Sequence, residues 1–217
     1  IGAAATFSQV ARAAEMPGMP GALLRRCTRD AASEPLRNMI TVGGNLAATN
    51  YWADLPPVLL ALDAQVEVSK QGEEPRTVPF ASCLESGKHP WDGGLITSVV
   101  IPVPKADQFF GYERFVRTVT DYSLATVCVT LTRDGSVSRG AHVVFGAIQT
   151  RPFRVPAAEA ALEGNPFEAS VIDAAMAALG ELPIAPNYRA SADFRRKVAG
   201  VLARRAVNAA FGWAREV

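Results

Sequence analysis

Two adjacent glycines, Gly43 and Gly44, constrain this chain more than any other feature; they sit in Thr41-Val42-Gly43-Gly44-Asn45-Leu46-Ala47-Ala48, which runs on through Asp54-Leu55-Pro56-Pro57. Glycine reaches positive φ without steric cost and lets another group come close to the backbone. A pair of them followed by an asparagine and small residues marks either a tight turn or bulge, or a place where a ligand lies against the main chain. The ligand reading points to a diphosphate, because successive exposed N–H groups in such a turn form an anion-binding concavity, to which Thr41 and Asn45 add side-chain donors. Asp54 then stands as an acceptor for a ribose or ribityl hydroxyl. No lysine follows the glycines, so the stretch is not a phosphate loop of the Gly-Lys-Ser/Thr kind.

The chain around this stretch can bury a substantial core, as one large domain or two small ones, at 217 residues with 49% hydrophobic and 20% charged residues. A formal net charge of +1 gives no sign of nucleic acid or an acidic membrane as partner. The basic clusters Arg25-Arg26, Arg195-Arg196-Lys197 and Arg204-Arg205 fall in helical patterns and read as solvated faces. No apolar run approaches the roughly 20 residues of a membrane span, and the opening residues read as neither signal peptide nor transit sequence. Cys27, Cys83 and Cys128 are far apart with no C-x-x-C pair, which predicts reduced thiols in a cytoplasmic protein. His89 and His142 are too few for a histidine-based metal site or a triad.

Taken in order, Thr6-x-x-Gln9 predicts a capping box that opens a helix reaching about Glu15. A second helix is predicted from Pro20 to about Ser33, with Leu23, Leu24 and Cys27 on one face. Arg37 either binds phosphate or ties carbonyls of the turn together, and Asn38 suits a turn. Ala53 to Ala64 predicts a short helix with Asp54 at the N-cap, so capping competes with ligand contact for this carboxylate. Gln65–Val68 and Arg76–Pro79 flank a Gly-Glu-Glu-Pro turn as a hairpin, and Leu95–Pro102 is the next strand. Two prolines in Pro102-Val103-Pro104 mark a boundary. Beyond it, Thr126–Thr132 alternates as a half-buried strand that Asp134-Gly135 turns back into Ala141–Ile148, with packing roles for Cys128 and His142. Helices are predicted at Pro156–Leu162, Ser170–Leu179 and from Ser191 to about Trp213, the last packing through Phe194, Val198, Val201 and Leu202. Runs of strands then helices predict an α+β architecture, with helices on one face of an antiparallel sheet.

Several stretches together carry a resemblance: Arg37-Asn38-Met39-Ile40 leading into Thr41–Asn45, Asp54–Pro57 with Leu59–Ala64, Phe110–Arg117, Asp121-Tyr122-Ser123, and Ser191–Arg196. The chain closely resembles, over nearly its whole length, the FAD-binding medium subunit of the molybdenum hydroxylases, the family of xanthine dehydrogenase and aerobic carbon monoxide dehydrogenase. The resemblance implies the second subdomain of a vanillyl-alcohol-oxidase/PCMH-type FAD domain over residues 1–103 and the family's C-terminal domain over 104–217. It implies that Thr41, Gly43, Gly44 and Asn45 wrap the FAD diphosphate and that Asp54 reaches the sugar or ribityl part. Ile96 would touch the flavin region, Tyr122 would lie against the isoalloxazine ring, and Arg114 with Arg117 would sit near its edge, where cations favour a reduced flavin.

The function implied is electron transfer: FAD on this chain takes electrons from 2Fe-2S clusters on a small subunit and passes them to NAD, a quinone or oxygen. Molybdopterin is expected on a large subunit, in a dimer of heterotrimers. Some relatives carry an extra iron–sulfur cluster on this subunit, whose four thiolates three isolated cysteines cannot supply. The family's first FAD subdomain, with its A-G-G-[TQH]-[DS]-L loop, is expected before Ile1-Gly2-Ala3. Its absence from the sequence leaves two expectations, a fragment of an FAD subunit or a shortened, non-catalytic assembly relative that has lost FAD binding. A flavin oxidoreductase acting alone is a third reading, without a substrate-directed acid, base or nucleophile to support it.

Overall fold

A computed structural model describes residues 1–13, 15–85, 89, 91–185 and 187–212. The predicted capping box forms: Thr6 accepts from Gln9 N, Gln9 reaches back to Thr6 N, and helix α1 (Phe7–Arg12) follows, ending short of Glu15. Helix α2 (Gly18–Asp30) buries Leu23, Leu24 and Cys27. Two single-turn helices, α3 (Glu34–Arg37) and α4 (Val42–Ala47), lead to α5 (Leu55–Ala61), in which every residue is buried. Strand β1 (Gln65–Ser69) pairs on one side with β2 (Arg76–Pro79) and on the other, after helix α6 (Phe80–Glu85), with β3 (Leu95–Val100). Residues 1–3 run along the free edge of β3, where Ala3 N donates to Thr97 O at 2.9 Å. This first, antiparallel sheet has the order β2-β1-β3.

The second sheet is antiparallel and orders as β4 (Gln108–Phe115), β5 (Ala125–Asp134), β6 (Val137–Gly146) and the two-residue β7 (Phe153–Arg154). Helices α7 (Pro156–Leu162), α8 (Ala169–Ala178) and α9 (Ala192–Ala210) cover one face. Val127, Val129 and Leu131 point into that core, while Cys128 between them joins the core of the first half together with Tyr112 and Val144. The sheet is therefore covered on both faces, and β5 is buried from Ala125 to Leu131 rather than half-buried. Its second cover is α5: Ala61 O accepts from Thr130 Oγ1 at 2.9 Å and lies 2.8 Å from His142 Nδ1. Paired polar groups at this seam satisfy each other as they leave water.

Helix α9 packs through Val198 and Leu202 as expected, but not through Phe194 and Val201. Phe194 and Val201 are 44% and 53% exposed, and the buried stripe is Arg195, Ala199, Leu202, Ala203, Ala206, Val207 and Ala210. Close approach dictates this choice, since a Cβ at Gly111 of β4 would stand 1.8 Å from Ala206 O. Arg195, expected on a solvated face, is 1% exposed and donates to Leu124 O at 3.1 Å, Ala185 O at 2.8 Å and Ala147 O. Its aliphatic stem serves the core while the fixed guanidinium fork closes three carbonyls. Trp213 lies outside the described residues.

Candidate functional site

The Gly43-Gly44 pair folds in a way the sequence did not suggest. Thr41 is the N-cap of α4, and both glycines have helical, negative φ. The turn's amides are already taken: Val42 N donates to Ala5 O (2.9 Å), Gly43 N to Ala3 O (2.8 Å), Gly44 N to Thr41 Oγ1 (3.0 Å) and Asn45 N to Thr41 O (2.9 Å). The expected concavity of successive exposed N–H groups is thus replaced by a capped helical turn sewn onto residues 3–5. Gly43 is required by the protein itself, because a Cβ there would stand 2.7 Å from Ala3 Cβ. Gly44, by contrast, is exposed.

Two open clefts meet on this turn. The first, about 510 Å³, is lined by Thr41, Gly44, Asn45, Asp54, Arg114 and Tyr122, with Trp52 beside them. The second, about 580 Å³, is lined by Thr41, Gly43, Gly44 and Ile96 among others. All eight residues chosen from the sequence therefore line one or both clefts, which share Thr41 and Gly44. Ile96 and Tyr122 are not brought together; they stand in different clefts on either side of the turn. Among the described residues Asn45 Oδ1 is buried without a hydrogen-bond partner, an acceptor left open in the wall of the first cleft. Such an orphan is costly unless a ligand or water meets it.

Asp54 occupies the N-cap position of α5 as expected, but its side chain makes no capping bond and is turned to other partners. It is 6% exposed; Oδ1 accepts from Ser123 Oγ (2.7 Å) and Thr126 Oγ1 (2.9 Å), and Oδ2 lies 3.3 Å from Arg114 Nη2. Burial pushes its carboxyl above the ordinary range, and the opposing pull of Arg114 and the two hydroxyls does not fully offset it. Arg114 is equally committed, with Nε donating to Ser123 Oγ (3.1 Å), Nη2 to Asp121 O (2.9 Å) and Nη1 to Asp30 O. Arg117 is exposed and pairs with Asp121 at 3.3 Å. Arg37 ties the Ala31 and Ala32 carbonyls, at 3.0 and 2.6 Å, the second of its two expected roles.

Tyr122 is 58% exposed at the mouth of the first cleft, its ring 5.0 Å from that of Trp52 and tilted by 43°. Trp52 went unread in the sequence, although the Tyr51-Trp52 pair two residues before Asp54 was a usable signal. Ser123 and Thr126 left no such signal, because their bonds to Asp54 exist only once β5 packs against α5.

Comparison with known proteins places this geometry in a family. Residues 1–104 match the family described as the FAD binding domain in molybdopterin dehydrogenase, and residues 110–210 match the CO dehydrogenase flavoprotein C-terminal domain. The chain is similar to the carbon monoxide dehydrogenase medium chain of Afipia carboxidovorans, 31% identical over 193 residues that cover 87% of this chain and 66% of the relative. It is also similar to the glyceraldehyde dehydrogenase medium chain of Sulfolobus acidocaldarius, 27% identical over 190 residues, 85% of this chain and 66% of that one. The chain thus spans 66% of the length of each of these curated relatives. Among solved structures, reconstituted CO dehydrogenase from Oligotropha carboxidovorans superposes with a TM-score of 0.88 at 28% identity, over 99% of this chain and 75% of that one.

Proposed function

Because the chain belongs to the family of FAD-binding medium subunits of the molybdenum hydroxylases, we propose that it holds FAD along the two clefts that meet at Thr41 and Gly44. The observation that carries this is the convergence of Thr41, Gly43, Gly44, Asn45, Asp54, Ile96, Arg114 and Tyr122 on adjoining cleft walls, with the open Asn45 Oδ1 among them. The diphosphate lies against the exposed flank of Gly44, where no Cβ intervenes. The Thr41 hydroxyl and Asn45 Nδ2, rather than the occupied amides, are its donors, and the open Asn45 Oδ1 accepts from a hydroxyl of the same ligand. Tyr122 and Trp52 form the aromatic wall for the flavin ring, and Ile96 serves another part of the same extended ligand.

Bound there, FAD supplies a carrier that takes electrons singly or in pairs. The chain's own residues bind and orient it. Asp54 and Arg114 neutralise each other inside the wall and hold the 121–123 loop that carries Tyr122, so their contribution to the site is rigidity more than net field. Tyr122 covers apolar ring surface and keeps its hydroxyl at the solvent edge. Division at residues 103/104 separates the FAD-binding part from the C-terminal part. Partners follow the family: a small subunit with 2Fe-2S clusters delivers electrons, a large molybdopterin subunit oxidises substrate, and NAD, a quinone or oxygen removes the electrons, in a dimer of heterotrimers. No helix among the described residues is long and apolar enough to cross a membrane; a cytoplasmic place is part of the proposal.

The test is the visible absorption spectrum of the purified chain, followed by denaturation and identification of released flavin. Stoichiometric FAD supports the reading. A colourless protein that stays apo on titration with FAD overturns it and points to the assembly role.

A further inference from the structure

The connection between α8 and α9 enters the site from a part of the chain that carries none of the eight residues. Asn187 Nδ2 donates to the Tyr51 hydroxyl at 3.0 Å, and Asn187 Oδ1 accepts from Arg189 N at 2.7 Å. Arg189, with a side chain only 5% exposed, places its guanidinium 5.5 Å from the centre of the Tyr122 ring. Its Nη1 donates to the Tyr122 carbonyl at 3.3 Å, and Nη2 stands 2.6 Å from Asp121 Oδ1, in direct charge contact. One side chain thus touches the ring of Tyr122, its carbonyl and the carboxylate of its neighbour.

Burying a guanidinium is unfavourable unless it is paired, and here the pairing is spent on a single loop. Tyr122 needs it. The ring is more than half exposed, and the ring contacts it makes among the described residues are with Trp52 and with this cation. Arg114 holds the same loop through the Asp121 carbonyl and the Ser123 hydroxyl. Arg114 thus ties the loop at Asp121 and Ser123, whereas Arg189 ties it at Asp121 and Tyr122 and also lies over the ring.

We propose that Arg189 is a positioning residue for the aromatic wall of the first cleft, setting Tyr122 against Trp52 and so defining the surface offered to a planar ring. This rests on the assignment of the cleft to FAD. The experiment compares the full chain with Arg189→Gln and Arg189→Lys, before and after loading with FAD. In the FAD-free chain, amide hydrogen exchange across residues 117–124 is expected to accelerate on the order of tenfold in Arg189→Gln, with β5 and α9 unchanged. Arg189→Lys keeps the charge contact with Asp121 but not the flat cation over the ring, and is expected to lie near the wild type in exchange. In the loaded chain, both variants are expected to raise the fluorescence yield of bound flavin by about twofold, because an unfixed aromatic ring quenches less. Unchanged exchange and unchanged fluorescence in Arg189→Gln overturn the proposal, as does faster exchange spread evenly over α9 and β5, which would make Arg189 a general stabiliser. Failure of the wild type to bind FAD defeats the functional reading alone, and the exchange comparison then decides the positioning role by itself.

Discussion

Two neighbouring glycines do different work, and substitution separates them. A Cβ at Gly43 would stand 2.7 Å from Ala3 Cβ and 3.2 Å from Ala3 O, so Gly43→Ala is expected to destabilise the fold by about 1–3 kcal/mol through overpacking. Chemical denaturation reads this as a lower midpoint at unchanged slope. At Gly44 the new Cβ meets only the Thr41 hydroxyl, at 2.8 Å; Gly44→Ala is expected to cost about 1 kcal/mol by disturbing the cap. Its main effect falls on FAD affinity, because Gly44 lines both clefts. The sequence singled out both residues but attached them to a left-handed turn. What it could not display is Ala3, forty residues upstream, whose strand along β3 claims the Gly43 amide. The three buried thiols respond to pH in one direction. Burial holds Cys83 up to about 11 against an ordinary 9.0, and raises Cys27 and Cys128 as well. The unfolded chain loses these protons first, so the contribution of the thiols to stability is fully present below about pH 9.0 and is lost as pH climbs toward 11. Thermal melts across that window check the slope, which Cys83→Ala is expected to flatten.

Among elements, α9 shows most clearly where sequence pattern fails. Its large apolar residues Phe194 and Val201 advertise a face that stays exposed, while the packed stripe is mainly alanine. Periodicity weighs residues by hydrophobicity, and alanine carries little of it, although small side chains are what permit two backbones to approach. The decisive partner is Gly111, which the pattern of β4 marks only as a gap. Gly111→Ala would drive a Cβ to 1.8 Å from Ala206 O, so the helix must lift away from the sheet, at an expected cost of about 3 kcal/mol or more. A lower denaturation midpoint, with faster hydrogen exchange concentrated in α9 and β4, is the expected signature. By contrast, α1, α7 and the β1–β2 hairpin were legible because local signals decide them: a capping box, a proline in the first helical turn, a turn between alternating residues.

At the scale of the whole molecule, the boundary expected at Pro102-Val103-Pro104 does not divide the core. Tyr112, Cys128 and Val144 of the second sheet are buried with Leu59, Val66 and Val99 of the first half. Asp54 meets Arg114, Ser123 and Thr126 across the same seam. None of this pairing was readable beforehand, because the sequence marks Asp54 as a cap or ligand contact and Arg114 as a neighbour of the flavin edge, and the two meet only once the halves close on each other. Separating the halves would expose the apolar underside of β5 and break the Asp54–Arg114 pair. The chain is therefore expected to unfold in one cooperative transition, with tryptophan fluorescence and far-ultraviolet circular dichroism coinciding. Two separated transitions would show that the seam contributes little. Arg114→Met supplies the energetic counterpart: it leaves Asp54 buried without its cation, and is expected to cost about 3–5 kcal/mol. Adding Asp54→Asn removes that uncompensated charge, so the double variant should be destabilised by clearly less than the sum of the two single changes. Additive losses would mean that the two groups do not act as a pair, and the rigidity attributed to the Tyr122 loop would then have to come from Arg189 alone.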